Sequence, residues 1–299
     1  MSKLVAVFGS TGSQGGSVIR ALLKSNDYKI RAITRNPNSD KAKSLASLKN
    51  VSVEQGDLDD PSSLDKCLKD CYGTFLVTDF STHFTHTETK QGTTLIDSAL
   101  KNKLKHFVFS GLENVQSQIG KPCLHFDYKA KIEDYGLQHG DKIHFTSIRL
   151  PAYYQVLTSM LLHKLKPSEY LLTFPMSDKP MYLMNVEDLG ECVRSVLDSP
   201  NEFKSKIVPV AGDKLTGDQI ASVLNKHLAP NKFMYGNVSL EKFLAFGFPG
   251  VEDLTNMFEY YQTGKMVRDI ENTKKLNKNV VNFDQWVEQN KEQINKSFK

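Results

Sequence analysis

Short runs of apolar and β-branched residues alternate with longer segments of helical periodicity from residue 3 to about residue 150. This alternation is typical of consecutive βαβ units, whose strands lie parallel in one sheet. The predicted strands are Leu4–Phe8, Lys29–Thr34, Val51–Glu54, Thr74–Val77, His106–Phe109 and His144–Ile148. The predicted helices begin near Gln14, Asp40, Pro61, Thr87 and His125.

The pattern becomes less regular after residue 150, where prolines interrupt it, and it turns helical after residue 213. A segment at about 181–212 is predicted to return to the first domain, because Val186–Gly190 opens a helix and Phe203–Ala211 has the pattern of a strand. The predicted fold class is α/β. A Rossmann-type doubly wound parallel sheet takes residues 1–150 with the return segment, and a smaller, mostly helical C-terminal lobe for a substrate or partner takes 151–180 and 213–299.

Charge and composition disfavour a nucleic-acid-binding, membrane-spanning or secreted protein. The 299 residues carry a net charge of +4 with acidic and basic residues mixed along the chain, which disfavours direct binding to nucleic acid. The sequence contains neither an apolar run of membrane-spanning length nor a signal-peptide pattern, and its four cysteines form no CxxC pair. We therefore expect a soluble protein without a membrane partner, located in the cytoplasm, with the nucleus as an open alternative.

A glycine-rich loop follows the first predicted strand. It reads Gly9-Ser10-Thr11-Gly12-Ser13-Gln14-Gly15 and opens a helix. Glycines in this context allow a tight turn and let the backbone approach a pyrophosphate, whose charge is met by N–H groups at the helix N-terminus. The loop predicts a dinucleotide site, with a plain strand-to-helix turn as the alternative.

The residue after the second predicted strand indicates which dinucleotide is bound. An NAD site usually carries an acidic residue there, whereas this chain has Arg35, which can form a fork of hydrogen bonds to a 2′-phosphate. The sequence therefore predicts NADP(H) as the cofactor, with a solvent-facing arginine as the alternative. Asp57 and Leu58, just beyond the third strand, are placed to contact adenine or to form an ordinary acidic turn.

Several longer strings of residues resemble those of the NmrA-like family, an atypical branch of the short-chain dehydrogenases/reductases. The strings are Val7–Val18, Thr34–Pro37, Gln55–Asp60, Ser110–Asn114, His125–Lys129, Ser147–Pro151 and Gly247–Gly250, with Trp286 near the end. The likeness spans nearly the full length and is strongest with animal members that sense NADPH. It implies a pyrophosphate on Gly9 to Gln14, a 2′-phosphate on Arg35, and adenine near Asp57 and Leu58. The residues that it implies on the nicotinamide side are Thr78, Asp79, Phe80, Lys90, Lys129, Pro151, Ala152, Tyr153, Tyr154 and Gln155.

The catalytic pair of the superfamily is incomplete. Reductases of this kind use Tyr-x-x-x-Lys, because residues i and i+4 share a helix face and the lysine lowers the pKa of the phenol. Lys129 is present, but His125 stands four residues before it, and the adjacent Tyr128 points about 100° around the helix. We predict no catalytic residue, with His125 and Lys129 as weak candidates and Lys129 left to hold the ribose.

Three functions remain open at this stage. The first is a non-enzymatic regulator that reads the NADPH/NADP⁺ ratio and acts through a protein partner, and a homodimer is an open alternative. The second is an NADPH-dependent reductase of quinones or similar electrophiles, and the third is a scaffold with a vestigial loop. No metal is predicted, because neither His83 with His86 nor Cys67 with Cys71 has an evident third ligand.

Overall fold

A computed structural model gives the fold and describes residues 2–80 and 87–297. The strands in chain order are β1 Lys3–Val7, β2 Tyr28–Thr34, β3 Val51–Gln55, β4 Gly73–Leu76, β5 His106–Gly111, β6 His144–Arg149, β7 Ala152–Tyr153, β8 Leu162–Lys166, β9 Glu169–Phe174, β10 Met181–Met184, β11 Lys206–Pro209, β12 Asp213–Leu215 and β13 Lys232–Asn237. The helices are α1 Ser13–Leu22, α2 Asp40–Ala46, α3 Pro61–Leu68, α4 Thr87–Lys101, α5 Gln116–Ile119, α6 Leu124–Gln138, α7 Tyr154–Ser159, α8 Val186–Asp198, α9 Pro200–Phe203, α10 Gly217–His227, α11 Leu240–Leu244, α12 Val251–Gln262, α13 Ile270–Leu276 and α14 Phe283–Ser297.

The chain divides into two compact units. The first comprises residues 1–114, 125–149 and 187–208, and the second comprises 115–124, 150–186 and 209–299. This division differs from the prediction in the return segment and in one excursion. The return segment covers 187–208 instead of about 181–212, and it begins later because β10 pairs with β7 and β12 in the second unit. The excursion at 115–124 was not predicted, since it contains only the four-residue helix α5.

The first unit contains a seven-stranded sheet in the order β11-β6-β5-β4-β1-β2-β3. The pairs that join β3, β2, β1, β4, β5 and β6 are all parallel, as βαβ connections require. This order confirms the predicted Rossmann-type fold, in which the chain reverses direction across the sheet between β1 and β4. The bounds of the six predicted strands and the starts of the five predicted helices each differ from the observed ones by no more than two residues.

A hydrophobic cluster of the first unit packs around aromatic side chains of β5 and β6. Phe107, Phe109 and Phe145 are fully buried, and the Phe145 ring centroid lies 5.6 Å from that of Phe107 and 6.4 Å from that of Phe109. Two ion pairs join α1 to helix α8 of the return segment. The Arg20 guanidinium nitrogen lies 2.6 Å from Glu187 Oε1, and Lys24 Nζ lies 2.6 Å from Glu191 Oε1. These contacts place the helix after residue 186 in the first unit. The predicted strand Phe203–Ala211 is shorter than expected, because α9 occupies its beginning and β11 covers Lys206–Pro209.

The second unit combines helices with two small sheets. One has the order β12-β10-β7 and the other β13-β9-β8. Its aromatic core includes Tyr154, Phe283 and Trp286, whose ring centroids lie 5.2 to 5.9 Å apart. A helical C-terminal region is confirmed, although the sequence pattern did not predict the short strands. Within the described residues, no helix is both long and apolar enough to cross a membrane.

Candidate functional site

The glycine loop joins β1 to α1 through a turn that a larger residue would not allow at two positions. Gly9 has φ +70°, and a Cβ atom there would lie 2.5 Å from the Val77 Cγ1 atom. A Cβ atom on Gly15 would lie 2.3 Å from the Gly9 carbonyl oxygen, so the helix packs directly against the turn. The Ser10 hydroxyl donates to the Ile33 carbonyl oxygen at 2.7 Å. This bond holds the loop at the end of β2.

Gly12, by contrast, is less closely packed and precedes the first residue of α1. Its backbone has φ −90° and ψ 175°, and a Cβ atom would meet only the Gly9 carbonyl oxygen, at 3.3 Å. No side chain caps the helix at this residue, and the first turn contains no acidic residue. The positive end of the helix and its free N–H groups therefore face the space beside Gly12.

The residues around Gly12 support the same geometry. Thr11 is half-buried and Ser13 is exposed, while the Gln14 Oε1 atom is buried without a hydrogen-bond partner in the part of the chain that the structure describes. The uncapped helix N-terminus beside Gly12 fits a pyrophosphate, because backbone N–H groups donate to its oxygens and the helix dipole favours its negative charge. Contact between this loop and a pyrophosphate stays a prediction.

Arg35 follows β2 directly, beyond the carboxyl end of the strand that neighbours β1. Its side chain is exposed, and the Gln55 side-chain amide donates to its carbonyl oxygen at 3.3 Å. This bond ties together the ends of β2 and β3. In a Rossmann site the ribose of the adenosine lies at this edge, so Arg35 is placed where a 2′-phosphate would be.

Asp57 and Leu58 form a structured acidic turn after β3. The Asp57 carboxylate accepts the Asp59 N–H at 3.0 Å, and the Asp57 N–H donates to the Ser63 hydroxyl at 3.1 Å. Leu58 is half-buried against the core of the first unit. The turn that the sequence left as an alternative is present, and contact with adenine stays a prediction.

A buried polar cluster, formed by Thr78, Glu88 and Lys129, lies beyond the carboxyl end of β4. The Lys129 ammonium donates to the Thr78 carbonyl oxygen at 3.0 Å, to the Thr78 hydroxyl at 2.7 Å and to Glu88 Oε1 at 2.6 Å. The Thr78 hydroxyl donates in turn to Glu88 Oε1 at 2.5 Å. The side chains of Lys129 and Glu88 are 11% and 1% exposed. Lys129 is therefore held in a buried ion pair instead of pointing freely toward a ribose.

Glu88 could not be predicted as a site residue from the sequence pattern. It lies one residue into α4, where an acidic side chain is common because of the helix dipole, and only the fold brings it beside Lys129, 41 positions later. The sequence predicted that Lys129 holds a ribose. To do so, its ammonium group would have to exchange one of its three hydrogen bonds within the cluster for a hydrogen bond to the ligand.

His125 occupies the first turn of α6, where the superfamily carries tyrosine. Its ring centroid lies 6.1 Å from that of Phe80 and 4.8 Å from that of Phe126. Tyr128 contacts Phe80 as well, at 6.0 Å, and the Lys131 ammonium lies 5.5 Å from the centre of its ring. Tyr128 thus lies beside Lys131.

The remaining predicted residues of the first unit lie near this cluster along the chain. Asp79 is exposed and Phe80 is half-buried after β4, and Lys90 is exposed on α4. Their contacts with a nicotinamide stay predictions. His83 and His86 lie outside the described residues.

The predicted segment Pro151–Gln155 belongs to the second unit. Ala152 and Tyr153 are half-buried, Pro151 is buried, and the Gln155 side chain donates to Asn185 Oδ1 at 2.8 Å. Tyr154 is a core residue of the second unit. Its side chain is fully buried against Phe283 and Trp286, and its hydroxyl donates to the Val281 carbonyl oxygen at 3.1 Å. Contact between this segment and a nicotinamide stays a prediction.

The thiols of Cys67 and Cys71 are buried in the first unit. Burial raises the pKa of each thiol to about 11. Both sulfur atoms are therefore protonated near neutral pH, and a protonated thiol is a poor metal ligand.

Comparison with known proteins identifies relatives over the whole fold. The sequence profile of the NmrA-like family matches residues 1–288. An NmrA-like family domain-containing protein of Dictyostelium discoideum is 31% identical over 237 residues, which cover 76% of this chain and 78% of that protein. An NmrA-like family domain-containing oxidoreductase of Aspergillus hancockii is 28% identical over 284 residues, 88% of this chain and 83% of that protein.

Solved structures share the fold at low sequence identity. NmrA, a negative transcriptional regulator crystallised with NADP, superposes with a TM-score of 0.81 at 17% identity and covers 96% of this chain and 95% of its own. An NADPH-dependent quinone oxidoreductase of Escherichia coli, crystallised with NADPH, gives a TM-score of 0.78 at 21% identity over 99% of this chain and 100% of its own. At these identities the likeness establishes the fold alone.

Proposed function

Because this chain belongs to the NmrA-like family, we propose that its first unit binds NADP(H) along the carboxyl edge of the sheet. The observation that carries the proposal is the N-terminus of α1 at Gly12, where no side chain among the described residues caps the helix and the first turn contains no acidic residue. Arg35 supports the phosphorylated dinucleotide over NAD(H), because it can pair with a 2′-phosphate. Structural neighbours that were crystallised with NADP or NADPH support the same choice.

The chain's own residues divide the binding among them. The backbone from Gly9 to Gln14 would hold the pyrophosphate, Arg35 the 2′-phosphate, and the turn at Asp57 the adenine. The buried cluster of Thr78, Glu88 and Lys129 would lie beside the nicotinamide half, since it follows β4, on the other side of the point where the strand order reverses. The bound cofactor would supply a hydride in its reduced form, and its nicotinamide ring would carry a positive charge in its oxidised form.

We infer that binding, not carbonyl reduction, is the activity of the protein. A carbonyl needs a proton as it accepts hydride, and the residue positioned to donate one in reductases of this superfamily is replaced by His125. Lys129, which would lower the pKa of such a phenol, is held by Glu88 and Thr78. A protein that binds NADP(H) without turning it over is suited to report the NADPH/NADP⁺ ratio, and we propose that it does so through a protein partner.

A second candidate function is the reduction of quinones by NADPH. It is favoured by relatives that are named oxidoreductases and by the fold shared with a quinone oxidoreductase. A quinone accepts hydride readily, and water can supply the proton, so this reaction does not need the missing tyrosine.

The two functions are distinguished by NADPH oxidation, followed as the loss of absorbance of the reduced cofactor. We expect the wild-type protein to bind NADPH and to oxidise it at no significant rate with ketones, aldehydes or a panel of quinones. If the protein oxidises NADPH with quinones but not with ketones or aldehydes, the second candidate function, quinone reduction, is the correct one. Carbonyl reduction that disappears in His125→Ala, with nucleotide affinity retained, would overturn the proposal and make His125 the acid.

A further inference from the structure

The buried cluster of Thr78, Glu88 and Lys129 lies where the nicotinamide half of the proposed cofactor would be, and it carries two opposite charges. We propose that Glu88 is a specificity-determining residue: by cancelling the charge of Lys129, it lets the site accept NADP⁺ as well as NADPH. This inference rests on the proposed binding of NADP(H). It adds a residue and an electrostatic rule that decide between the two oxidation states.

The cluster is closed around the lysine. An ammonium group has three N–H bonds, and Lys129 directs them to the Thr78 carbonyl oxygen, the Thr78 hydroxyl and Glu88 Oε1, at 2.6 to 3.0 Å. Glu88 also accepts the Thr78 hydroxyl on the same oxygen. Since the side chains of Glu88 and Lys129 are 1% and 11% exposed, water does little to screen either charge.

Glu88 itself is committed to this one cation. Its second oxygen, Oε2, is buried and has no hydrogen-bond partner among the residues that the structure describes. A buried carboxylate that was present only to stabilise the fold would be expected to use both oxygens, because an orphaned buried acceptor costs free energy. The arrangement instead puts one negative charge against one positive charge, and the net charge of the cluster is zero.

The charge of the cluster matters because the cofactor changes charge at the nicotinamide ring. The ring of NADP⁺ carries a positive charge and that of NADPH carries none, while the rest of the molecule is the same. A bare Lys129 ammonium beside the ring would repel NADP⁺ and leave NADPH unaffected. A unit charge that acts over about 10 Å at an effective dielectric constant of about 20 changes affinity by about tenfold.

A neutral cluster has a consequence for a ratio sensor. When the affinities for the two oxidation states are similar, the form that is bound follows the NADPH/NADP⁺ ratio of the surroundings. When one form binds far more tightly, it occupies the site over most of the range and the protein no longer responds. Glu88 therefore sets the range of ratios over which the proposed sensor works.

The test is isothermal titration calorimetry of nucleotide-stripped protein with NADPH and with NADP⁺. The two dissociation constants are compared as the ratio Kd(NADP⁺)/Kd(NADPH). Glu88→Gln keeps the size and the acceptor oxygen of the side chain but leaves Lys129 uncompensated, so we expect the ratio to rise about tenfold. Lys129→Gln leaves Glu88 uncompensated, so the ratio should fall by a similar factor. The double variant Lys129→Gln/Glu88→Gln is neutral again and should return to the wild-type ratio even if both single variants lose thermal stability.

Asp65→Asn provides the matched control. Asp65 lies on α3 and pairs with Lys101 at the far end of α4, so this change removes a carboxylate from an ion pair away from the cluster. Its ratio should equal that of the wild type. A wild type that binds neither form would refute the proposed function, whereas a wild type that binds both, with the same ratio in the three cluster variants, would refute the role of Glu88 alone.

Discussion

The proposed preference for NADP(H) over NAD(H) depends on Arg35. It is exposed immediately after β2, and a guanidinium there can form charge-assisted hydrogen bonds with a 2′-phosphate that NAD(H) lacks. We expect Arg35→Ala to remove about 1.5–3 kcal/mol of NADP(H) binding free energy and to leave NAD(H) binding nearly unchanged. Isothermal titration with both nucleotides measures the difference.

Arg20 offers a control for that substitution. It is another exposed arginine of the first unit, but it lies near the C-terminal end of α1 and pairs with Glu187 on α8. Arg20→Ala should leave the preference for NADP(H) intact. Equal losses of NADP(H) and NAD(H) affinity in Arg35→Ala would show that Arg35 acts on something other than the 2′-phosphate.

Individual residues show where reasoning from the sequence stops. Arg35 and Gly12 could be predicted because local context fixes their places: each directly follows or precedes a regular element in a recognisable order. Glu88 could not be predicted, since its partner Lys129 is distant in sequence and only the fold brings them together. Tyr154 was placed in a ligand-binding turn by resemblance, but its burial depends on α14, which begins more than a hundred residues later.

The junction of β1 and α1 allows a prediction that separates binding from folding. Gly12 has an extended backbone that any residue can adopt, and a Cβ atom there would meet only the Gly9 carbonyl oxygen, at 3.3 Å, so Gly12→Val should fold after a small shift and yet place its side chain at the proposed pyrophosphate site. We expect loss of detectable NADPH binding with little change in the thermal unfolding midpoint without nucleotide. Unchanged NADPH affinity in Gly12→Val would show that the loop is not the binding site.

Gly15→Ala is the contrasting variant in the same loop. Its Cβ atom would lie 2.3 Å from the Gly9 carbonyl oxygen, so helix and turn would have to separate. We expect this variant to lower the unfolding midpoint even in the absence of nucleotide. The pair thus distinguishes a glycine needed for the ligand from one needed for packing.

The start of the β5–β6 pair gives the fold a pH dependence. His106 is fully buried, opposite His144 in register, and its Nε2 atom lies 3.0 Å from the hydroxyl of Thr146, which itself donates to the Phe203 carbonyl oxygen at 2.8 Å. Because the hydroxyl proton is used there, Nε2 must carry the proton of a neutral imidazole. Burial, aided by His144 and Lys3, lowers the pKa of His106 from 6.5 to about 3.

The sign of this effect follows from proton linkage. Below pH 6.5 the unfolded chain binds a proton at His106 that the folded chain does not, so the contribution is complete above the unfolded pKa and is lost as the pH falls toward 3. Between pH 7.5 and 5 this one group should lower the free energy of unfolding by about 2 kcal/mol. Urea unfolding at the two pH values measures this change. The free energy of unfolding of His106→Gln should fall by about 2 kcal/mol less than that of the wild type. An equal fall in the two proteins would show that His106 is not the group responsible.

Elements of the first unit could be predicted well because strand and helix periods alternate clearly in a parallel sheet. The second unit was harder, since its short strands pair across long separations and have no room to show a period. β10, for example, has four residues and is recognisable as a strand only through its pairing with β7 and β12. Boundaries failed where the chain crosses briefly from one unit to the other, as it does at 115–124.

At the scale of the whole molecule, function is attached to a widespread fold. The same architecture is found in a transcriptional regulator and in a quinone oxidoreductase, so the fold does not decide between regulation and chemistry. In the proposed function, the choice rests on a small set of side chains in the first unit, above all His125, where reductases carry a tyrosine, and Lys129 in its ion pair with Glu88.

The central proposal is that the protein binds NADP(H) in preference to NAD(H). The measurement is an isothermal titration of nucleotide-stripped wild-type protein with NADPH, NADP⁺, NADH and NAD⁺ under identical conditions. We predict that the two phosphorylated dinucleotides bind with one site per chain and at least about tenfold lower Kd than the two others, as a charge-assisted fork to the 2′-phosphate requires. Absence of binding, or equal affinity for all four nucleotides, would contradict the account.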